Sequence, residues 1–264
     1  MDELAQAEGL RFQTKNNLEV SEPESQVRLV LVLPPDPGVA ELASTISQTI
    51  FLAIGIPDVI TTRNLSVIGA EGAHADWQGF LAGFLAALVT QDWRVGVMGT
   101  TDDQTFRQAF INGVRYFCGK CRPVHPPYHE YPRFVELPPG STSENWGTAL
   151  DLLLQKSVQT VYLTPGVSLE ELSPYLVSRE INFISNTVPP ENLHTQWIAS
   201  VFPDPFQNIP ELVLELLHGK ESFDLPMQLA LETNPNQVSP GRQRLAEAVL
   251  TELQAGHIDT LGPP

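Results

Sequence analysis

The feature that most constrains the fold is a repeated alternation of short apolar strands with amphipathic helices, which is clearest from Arg94 onward. Residues 94–98 read as a strand, and 103–117 read as a helix with large apolar residues every three or four positions. The same order continues with strands at 133–137, 158–163 and 181–185 and with helices at 145–155 and 169–177. Such alternation predicts an α/β protein with parallel sheets and helices on both faces.

The segments on either side of this region show the pattern less regularly. Before it, we predict strands at 27–33, 50–54 and 65–68 and helices at 39–48 and 74–89. After Ser185, we predict strands at 197–202 and 227–231 and helices at 205–217 and 242–255. A chain that crosses between two lobes three times would interrupt the alternation in this way.

Size and charge exclude several functional classes. The chain has 264 residues, which suits two lobes of about 130 residues each. The net charge is −16, and the Lys and Arg residues are scattered singly, so we expect no binding to nucleic acid or to an anionic membrane surface. No apolar run reaches the roughly 18 residues that a membrane span needs. The first residues, Met1 to Ala5, lack the basic and apolar regions of a signal peptide.

Ligands of open parallel sheets bind beyond the carboxyl ends of the strands, so the loops at those ends are the candidate site. These loops combine glycines, hydroxyls, carboxylates and amides, and we add two aromatic residues that could stack on a ligand. The predicted ligand-binding residues are Pro34, Trp77, Gly99, Thr100, Asp102, Asp103, Phe106, Thr164, Pro165, Gly166, Asn186 and Asp204.

Each of these features also has a structural interpretation. The loop from Gly99 to Asp103 can bind a ligand, or it can simply cap the following helix. Thr101 with Gln104 has the spacing of a capping box, as do Ser141 with Glu144 and Ser168 with Glu171. Trp77 and Phe106 can equally be core residues. The coincidence of several polar, glycine-bearing loops at strand ends favours a binding cleft.

Three stretches resemble the basic membrane protein family of ABC-importer substrate-binding lipoproteins, which includes the purine nucleoside receptor of spirochaetes. They are the Gly/Ala-rich helix 79–88 (GFLAGFLAAL), the strand 94–99 (RVGVMG) and the helix segment 106–114, with Phe106, Ala109, Phe110 and Gly113. The final helix with Gly256-His257-Ile258 also resembles the family's closing I-x-x-G-x-I pattern. The resemblance covers roughly Val27 to Ile258.

The resemblance implies a type I periplasmic-binding fold, with two Rossmann-like lobes that close on a nucleoside or similar small solute. We expect an N-terminal lobe of residues 1–91 plus about 203–222, and a C-terminal lobe of 92–202 plus about 223–264. Family members open with a strand that has no counterpart here. Asp2 to Ala7 would instead belong to the first helix and Leu10 to Thr14 to the next strand. The N-terminal lobe would therefore lack its first strand.

The two cysteines, Cys118 and Cys121, leave three alternatives open. A local disulfide would pin the loop before Arg133 and would suit an extracytoplasmic protein. A zinc site would recruit His125 and His129. A redox role is disfavoured, because the pair follows a helix instead of preceding one. We predict the disulfide and no metal site.

No catalytic motif stands out, so we expect a binding protein, with no cofactor, in place of an enzyme. The resemblance implies an extracytoplasmic receptor whose partners are a small-molecule ligand and an ABC permease. Its only membrane attachment would be a lipid anchor that is absent from this chain, and we expect a monomer. The alternative is a ligand-sensing domain of a signalling receptor with the same fold. A third hypothesis, an enzyme built on a Rossmann-like lobe, lacks the dinucleotide fingerprint.

Overall fold

The computed structural model describes residues 1–16, 27–120 and 122–262. The chain forms two compact units: Met1–Ala73 with Asp204–Gln228 make unit 1, and His74–Pro203 with Leu229–Pro264 make unit 2. The chain therefore passes from one unit to the other three times, after Ala73, Pro203 and Gln228.

Unit 1 is built on a parallel sheet. Its elements are α1 (Asp2–Ala7), β1 (Leu29–Val32), α2 (Val39–Thr45), β2 (Ile50–Ile54), β3 (Leu65–Ile68), α7 (Ile209–Leu217) and β9 (Asp224–Leu225). Within the described residues the sheet has the order β1-β2-β3-β9, and each neighbouring pair is parallel. The carboxyl ends of its strands consequently lie along one edge.

Successive side chains of β2 pack on opposite faces of the sheet, so the sheet separates two hydrophobic cores. Phe51 and Ala53 pack with residues of α2 on one face. Leu52 and Ile54 pack with residues of α7 on the other face. All four side chains are buried, as expected for a strand covered by helices on both sides.

Unit 2 contains the longer, regular alternation. Its elements are α3 (Ala75–Val89), β4 (Val95–Thr100), α4 (Gln104–Cys118), β5 (Arg133–Leu137), α5 (Ser143–Leu154), β6 (Thr160–Leu163), α6 (Leu169–Arg179), β7 (Asn182–Ser185), β8 (Trp197–Asp204), β10 (Gln228–Thr233) and α8 (Pro240–Gln254). Among the described residues the sheet order is β10-β8-β7-β6-β4-β5, and the strands from β8 to β5 pair in parallel. One core contains residues of α3, α4 and α8, and the other contains residues of α5 and α6.

Three glycines let α3 and α4 pack closely against each other. A Cβ atom on Gly79 would lie 2.4 Å from the carbonyl oxygen of Phe106, and one on Gly83 would lie 2.1 Å from that of Phe110. A Cβ atom on Gly113 would lie 2.0 Å from the carbonyl oxygen of Phe80. The Gly/Ala-rich sequence of α3 is thus explained by backbone contact between two helices.

Unit 2 begins at His74, whereas the predicted C-terminal lobe begins at residue 92. The difference is α3, which the prediction assigns to the first lobe. Its buried residues from Phe80 to Leu88 form one core with Val97 and Phe110, and this packing assigns the helix to unit 2.

Several local predictions are wrong. Leu10 to Thr14 form no strand, although Leu10 packs on the core beside α7. Thr101 does not cap α4, and the capping box of α5 joins Thr142 to Asn145, one residue beyond the predicted pair. Ser168 does accept the Glu171 amide as predicted. The short strand β9 has no counterpart among the predicted elements. The expectation that an opening strand is missing stays a prediction.

Candidate functional site

The carboxyl edge of the unit 2 sheet gathers several of the predicted ligand-binding residues into one hydrogen-bonded cluster. Asp103 Oδ2 accepts bonds from the Thr100 amide at 2.7 Å, from the Thr100 hydroxyl at 2.8 Å and from the Thr164 hydroxyl at 2.7 Å. Thr100 and Thr164 are buried at the ends of β4 and β6, which are neighbours in the sheet. We call Thr100, Asp103 and Thr164, with Gly99 and Gly166, the Asp103 cluster.

The two glycines of the Asp103 cluster leave room for these side chains. A Cβ atom on Gly166 would lie 2.6 Å from Asp103 Oδ2, and one on Gly99 would lie 2.9 Å from Thr164 Oγ1. The sequence predicts that Gly99 lets a ligand approach the backbone closely. In the structure, the group that approaches Gly99 is the side chain of Thr164.

A narrow crevice lies beside the Asp103 cluster, between α4 and strands β4 and β5. Arg107 crosses it to bind Glu136, with 2.5 Å between Nη1 and Oε1. The guanidinium also lies 4.8 Å from the ring centroid of Phe134. The crevice, which Gly99 and Asp103 also line, has no room for a water-sized sphere. The edge is therefore closed at this point, and the cation that lines the crevice is already paired.

Beneath the Asp103 cluster, Tyr162 lies fully buried on β6 and stacks on Phe110, with ring centroids 5.7 Å apart. Its hydroxyl has no hydrogen-bond partner among the described residues. Burial raises the pKa of this phenol far above its usual range, and the negative charge of Asp103 raises it further. The phenol is consequently neutral at any physiological pH.

The carboxyl edge of the unit 1 sheet is open in contrast. A cavity of about 270 Å³ lies where β3 and β9 end and α7 begins. Its apolar lining is Ile68, Leu212, Leu225 and Pro226, and its polar lining is Asp204, Gln207, Asn208 and Gln228. The volume is slightly below the roughly 300–1,000 Å³ of sites for drug-sized ligands, and the mixture of apolar walls with a few polar groups is typical of small-molecule sites.

The polar groups of this cavity keep hydrogen-bonding capacity. Asp204 Oδ1 accepts the Phe206 amide at 2.9 Å, which leaves Oδ2 with no bond among the described residues. Asn208 precedes α7 with φ of 62°, and its side chain does not cap that helix. The cavity can therefore offer a carboxylate oxygen and side-chain amides to a solute.

The remaining predicted residues lie apart from both groups. Trp77 is half-buried in the first turn of α3 and stacks on His74 with ring centroids 3.9 Å apart, and Phe106 is half-buried against the α3–α4 core. Asp102 and Pro165 are exposed after β4 and β6, and Asn186 is half-buried after β7. Pro34 is exposed after β1 in unit 1. Their roles as ligand contacts stay predictions.

Sequence reasoning misses most of the cavity in unit 1. It predicts Asp204 but not Gln207, Asn208 or Gln228. Polar residues stand next to the predicted helix start at 205, yet the helix begins later, at Ile209, and β9 is only two residues long. A strand so short has no periodicity to detect.

The predicted disulfide and the zinc alternative stay untested, because Cys121 lies outside the described residues. Cys118 ends α4. Across residues 1–16, 27–120 and 122–262, no group of three or more His, Cys, Asp or Glu side chains is arranged to hold a metal ion. In the same part of the chain, none of the helices combines the length and the apolar content that a membrane crossing requires.

No protein-family model matches the sequence, and no curated protein matches it. Solved structures do match. An ABC transporter solute-binding protein from Conexibacter woesei superposes with a TM-score of 0.61 at 17% identity, covering 87% of this chain and 78% of its own. A solute-binding protein of ABC transporter systems from Aeropyrum pernix superposes with a TM-score of 0.53 at 12% identity, and the match covers 87% of this chain and 76% of that protein. A transcriptional activator of the comK gene from Bacillus halodurans superposes with a TM-score of 0.58 at 19% identity, and the match covers 88% of this chain and 80% of that protein.

These likenesses confirm the predicted fold class, α/β with parallel sheets in the manner of type I periplasmic-binding proteins. At such low identity they establish the fold and no more. The matched chains named here are solute-binding proteins and a regulator, not enzymes. Assignment to the basic membrane protein family stays a prediction.

Proposed function

We propose that this protein is the solute-binding receptor of an ABC importer and that it binds a small molecule at the carboxyl edges of its sheets. The observation that carries the proposal is the open cavity of unit 1, which lies where ligands of open α/β sheets bind. The shared fold with solute-binding proteins supports it.

In this proposal Asp204 is the principal acceptor for a donor group of the solute, and Asn208 and Gln228 supply amides. Ile68 and Leu225 provide the apolar wall against which a ring can pack. Lys and Arg are absent from the lining of this cavity in the described part of the chain, so a solute without an anionic group suits it best.

The finer parts of the proposal follow from the sequence resemblance. The solute would be a nucleoside or a compound of similar size, and the predicted cleft between two lobes would enclose it. The receptor would act outside the cytoplasm as a monomer, attached by a lipid anchor, and would deliver its solute to an ABC permease.

A ligand-sensing regulator is the second candidate. It is favoured by one observation, the shared fold with the transcriptional activator from Bacillus halodurans. Both candidates bind a small molecule, and they differ in the partner that responds. Solute-dependent stimulation of ATP hydrolysis by a reconstituted ABC permease favours the importer, and its absence despite solute binding favours the sensor.

A thermal-shift screen of the purified chain tests solute binding itself. Adenosine, guanosine, uridine, D-ribose, D-glucose and L-glutamine would each be added at millimolar concentration. A solute present at 100 times its Kd stabilises the folded state by about 2.7 kcal/mol, which is easily detected. Stabilisation by at least one compound supports the proposal, and no stabilisation by any of them contradicts it for these solute classes.

A further inference from the structure

We propose that Asp103 is a positioning residue, whose Oδ2 atom holds the loops after β4 and β6 in one fixed arrangement. The inference rests on the proposed function, in which a solute binds at the carboxyl edges of the sheets, because these loops form part of the unit 2 edge. It assigns different roles to Asp102 and Asp103, although the sequence analysis predicts both as ligand-binding residues.

The hydrogen bonds of the Asp103 cluster carry this assignment. Asp103 Oδ2 accepts three bonds at 2.7 to 2.8 Å, two from Thr100 and one from Thr164. A carboxylate has about four lone-pair sites on its two oxygens, so the capacity of Oδ2 is used within the protein. The bond from Thr164 joins two loops that are 61 positions apart in sequence.

The surroundings of the carboxylate also leave no approach for a ligand at Oδ2. Thr164 has no exposed surface, and Thr100 is 5% exposed. Gly166 lies so close that a single added carbon atom would come within 2.6 Å of Oδ2 and within 2.7 Å of Thr100 Cγ2. The arrangement therefore depends on a missing side chain in the second loop as well as on the hydroxyl of Thr164.

Asp102 differs in each respect. Its side chain is exposed, and its one hydrogen-bond contact among the described residues is a long one of 3.5 Å with Thr101 Oγ1. The two neighbours have the same side chain and belong to the same loop, so Asp102 is a matched control.

Hydrogen exchange, followed by mass spectrometry on the whole chain, tests the positioning role without any solute. In Asp103→Ala we expect amide exchange to rise at least about tenfold in peptides covering 100–103 and, equally, in peptides covering 164–167. Asp102→Ala should leave both loops at the wild-type rate. Asp103→Asn keeps one acceptor oxygen and should give an intermediate rate in both loops.

Thr164→Val keeps the test valid if Asp103→Ala does not fold. Valine fills nearly the same volume and removes only the hydroxyl, so faster exchange at residues 100–103 would report the coupling from the other loop. Wild-type exchange at 100–103 in Thr164→Val overturns the proposal. Faster exchange in the first loop alone in Asp103→Ala also overturns it.

Solute binding is read separately. For any compound that stabilises the wild type in the screen above, Asp103→Ala should weaken binding about tenfold and Asp103→Asn should restore part of it. Weakened binding without altered exchange would make Asp103 a direct contact and overturn the positioning role. If no compound binds, the proposed function fails, while the exchange data still decide whether Asp103 couples the two loops.

Discussion

The two carboxyl edges of this protein differ, although both lie where neighbouring parallel strands end. In unit 2, Asp103, Thr100 and Thr164 bond to one another, and Arg107 bonds to Glu136 across a crevice with no room for water. In unit 1, a cavity of about 270 Å³ is lined by apolar and polar groups, among them Asp204, whose Oδ2 has no bond among the described residues.

The difference shows that polar residues at strand ends have two distinct uses. They can satisfy one another and fix the loops, or they can remain available to a ligand. Only the second arrangement gives a solute partners without the loss of existing bonds, and an unmade buried hydrogen bond costs about 1–3 kcal/mol. We therefore expect the unit 2 edge to be sensitive to substitution and the unit 1 edge to be tolerant.

The largest effect should come from Gly113→Ala, which tests how rigidly the framework of unit 2 is packed. Its Cβ atom would lie 2.0 Å from the carbonyl oxygen of Phe80, so α3 and α4 would have to separate. We expect destabilisation of about 3 kcal/mol or more in urea unfolding followed by circular dichroism. Gly241→Ala in α8 is the control, since nothing lies within 4 Å of the added carbon, and it should stabilise by up to about 1 kcal/mol.

The next largest effect should separate the two edges directly. Gly166→Ala places a carbon atom 2.6 Å from Asp103 Oδ2, so we expect a loss of about 1–3 kcal/mol in the same unfolding experiment. Gln228→Ala, at the cavity of unit 1, should change stability by no more than about 0.5 kcal/mol. Equal losses in the two variants would contradict the distinction between a closed and an open edge.

Tyr162→Phe should have a smaller effect of the opposite sign. It removes a buried hydroxyl that has no partner among the described residues, so we expect a gain of about 1 kcal/mol at neutral pH. The unfolded chain releases a tyrosine proton near about pH 10, whereas the raised pKa of Tyr162 keeps the proton in the folded state. The free energy of unfolding of the wild type should thus decrease above about pH 10, and this decrease should be smaller in the variant. A variant less stable than wild type would indicate that the hydroxyl has a partner.

The smallest predicted change concerns the loop after α4 and depends on pH. Asp92 accepts the Val124 amide at 2.7 Å, and this bond, helped by Arg94, lowers the pKa of its carboxyl. A lowered pKa gives stability that is present above the unfolded value of about 3.9 and is lost as the pH falls through the folded value. Asp92→Asn should therefore be less stable than wild type between about pH 5 and 8, and the difference should vanish towards about pH 2. A difference that persists in acid would assign the effect to packing.

Much of the fold could be predicted, because strands such as Thr160–Leu163 and helices such as Gln104–Cys118 have clear periodicity. The short β9 could not, since two residues define no period. The roles of the candidate site residues were harder to predict than the fold, because they depend on contacts between distant parts of the chain. The sequence around Asp103 is the same whether its carboxylate binds a ligand or accepts a bond from Thr164. The difference between these two roles depends on a residue 61 positions away. Only the folded arrangement shows that Asp103 Oδ2 is already bonded within the protein.

The most direct test of the central claim is a calorimetric titration of the full chain with a solute that stabilises it, using Asp204→Asn and Glu211→Gln. The asparagine side chain of the first variant would still accept the Phe206 amide but would lack the carboxylate, whereas Glu211 lies exposed in the first turn of α7 outside the cavity lining. We predict at least about tenfold weaker binding in Asp204→Asn and wild-type binding in Glu211→Gln. Wild-type affinity in Asp204→Asn would contradict solute binding at the open edge of unit 1.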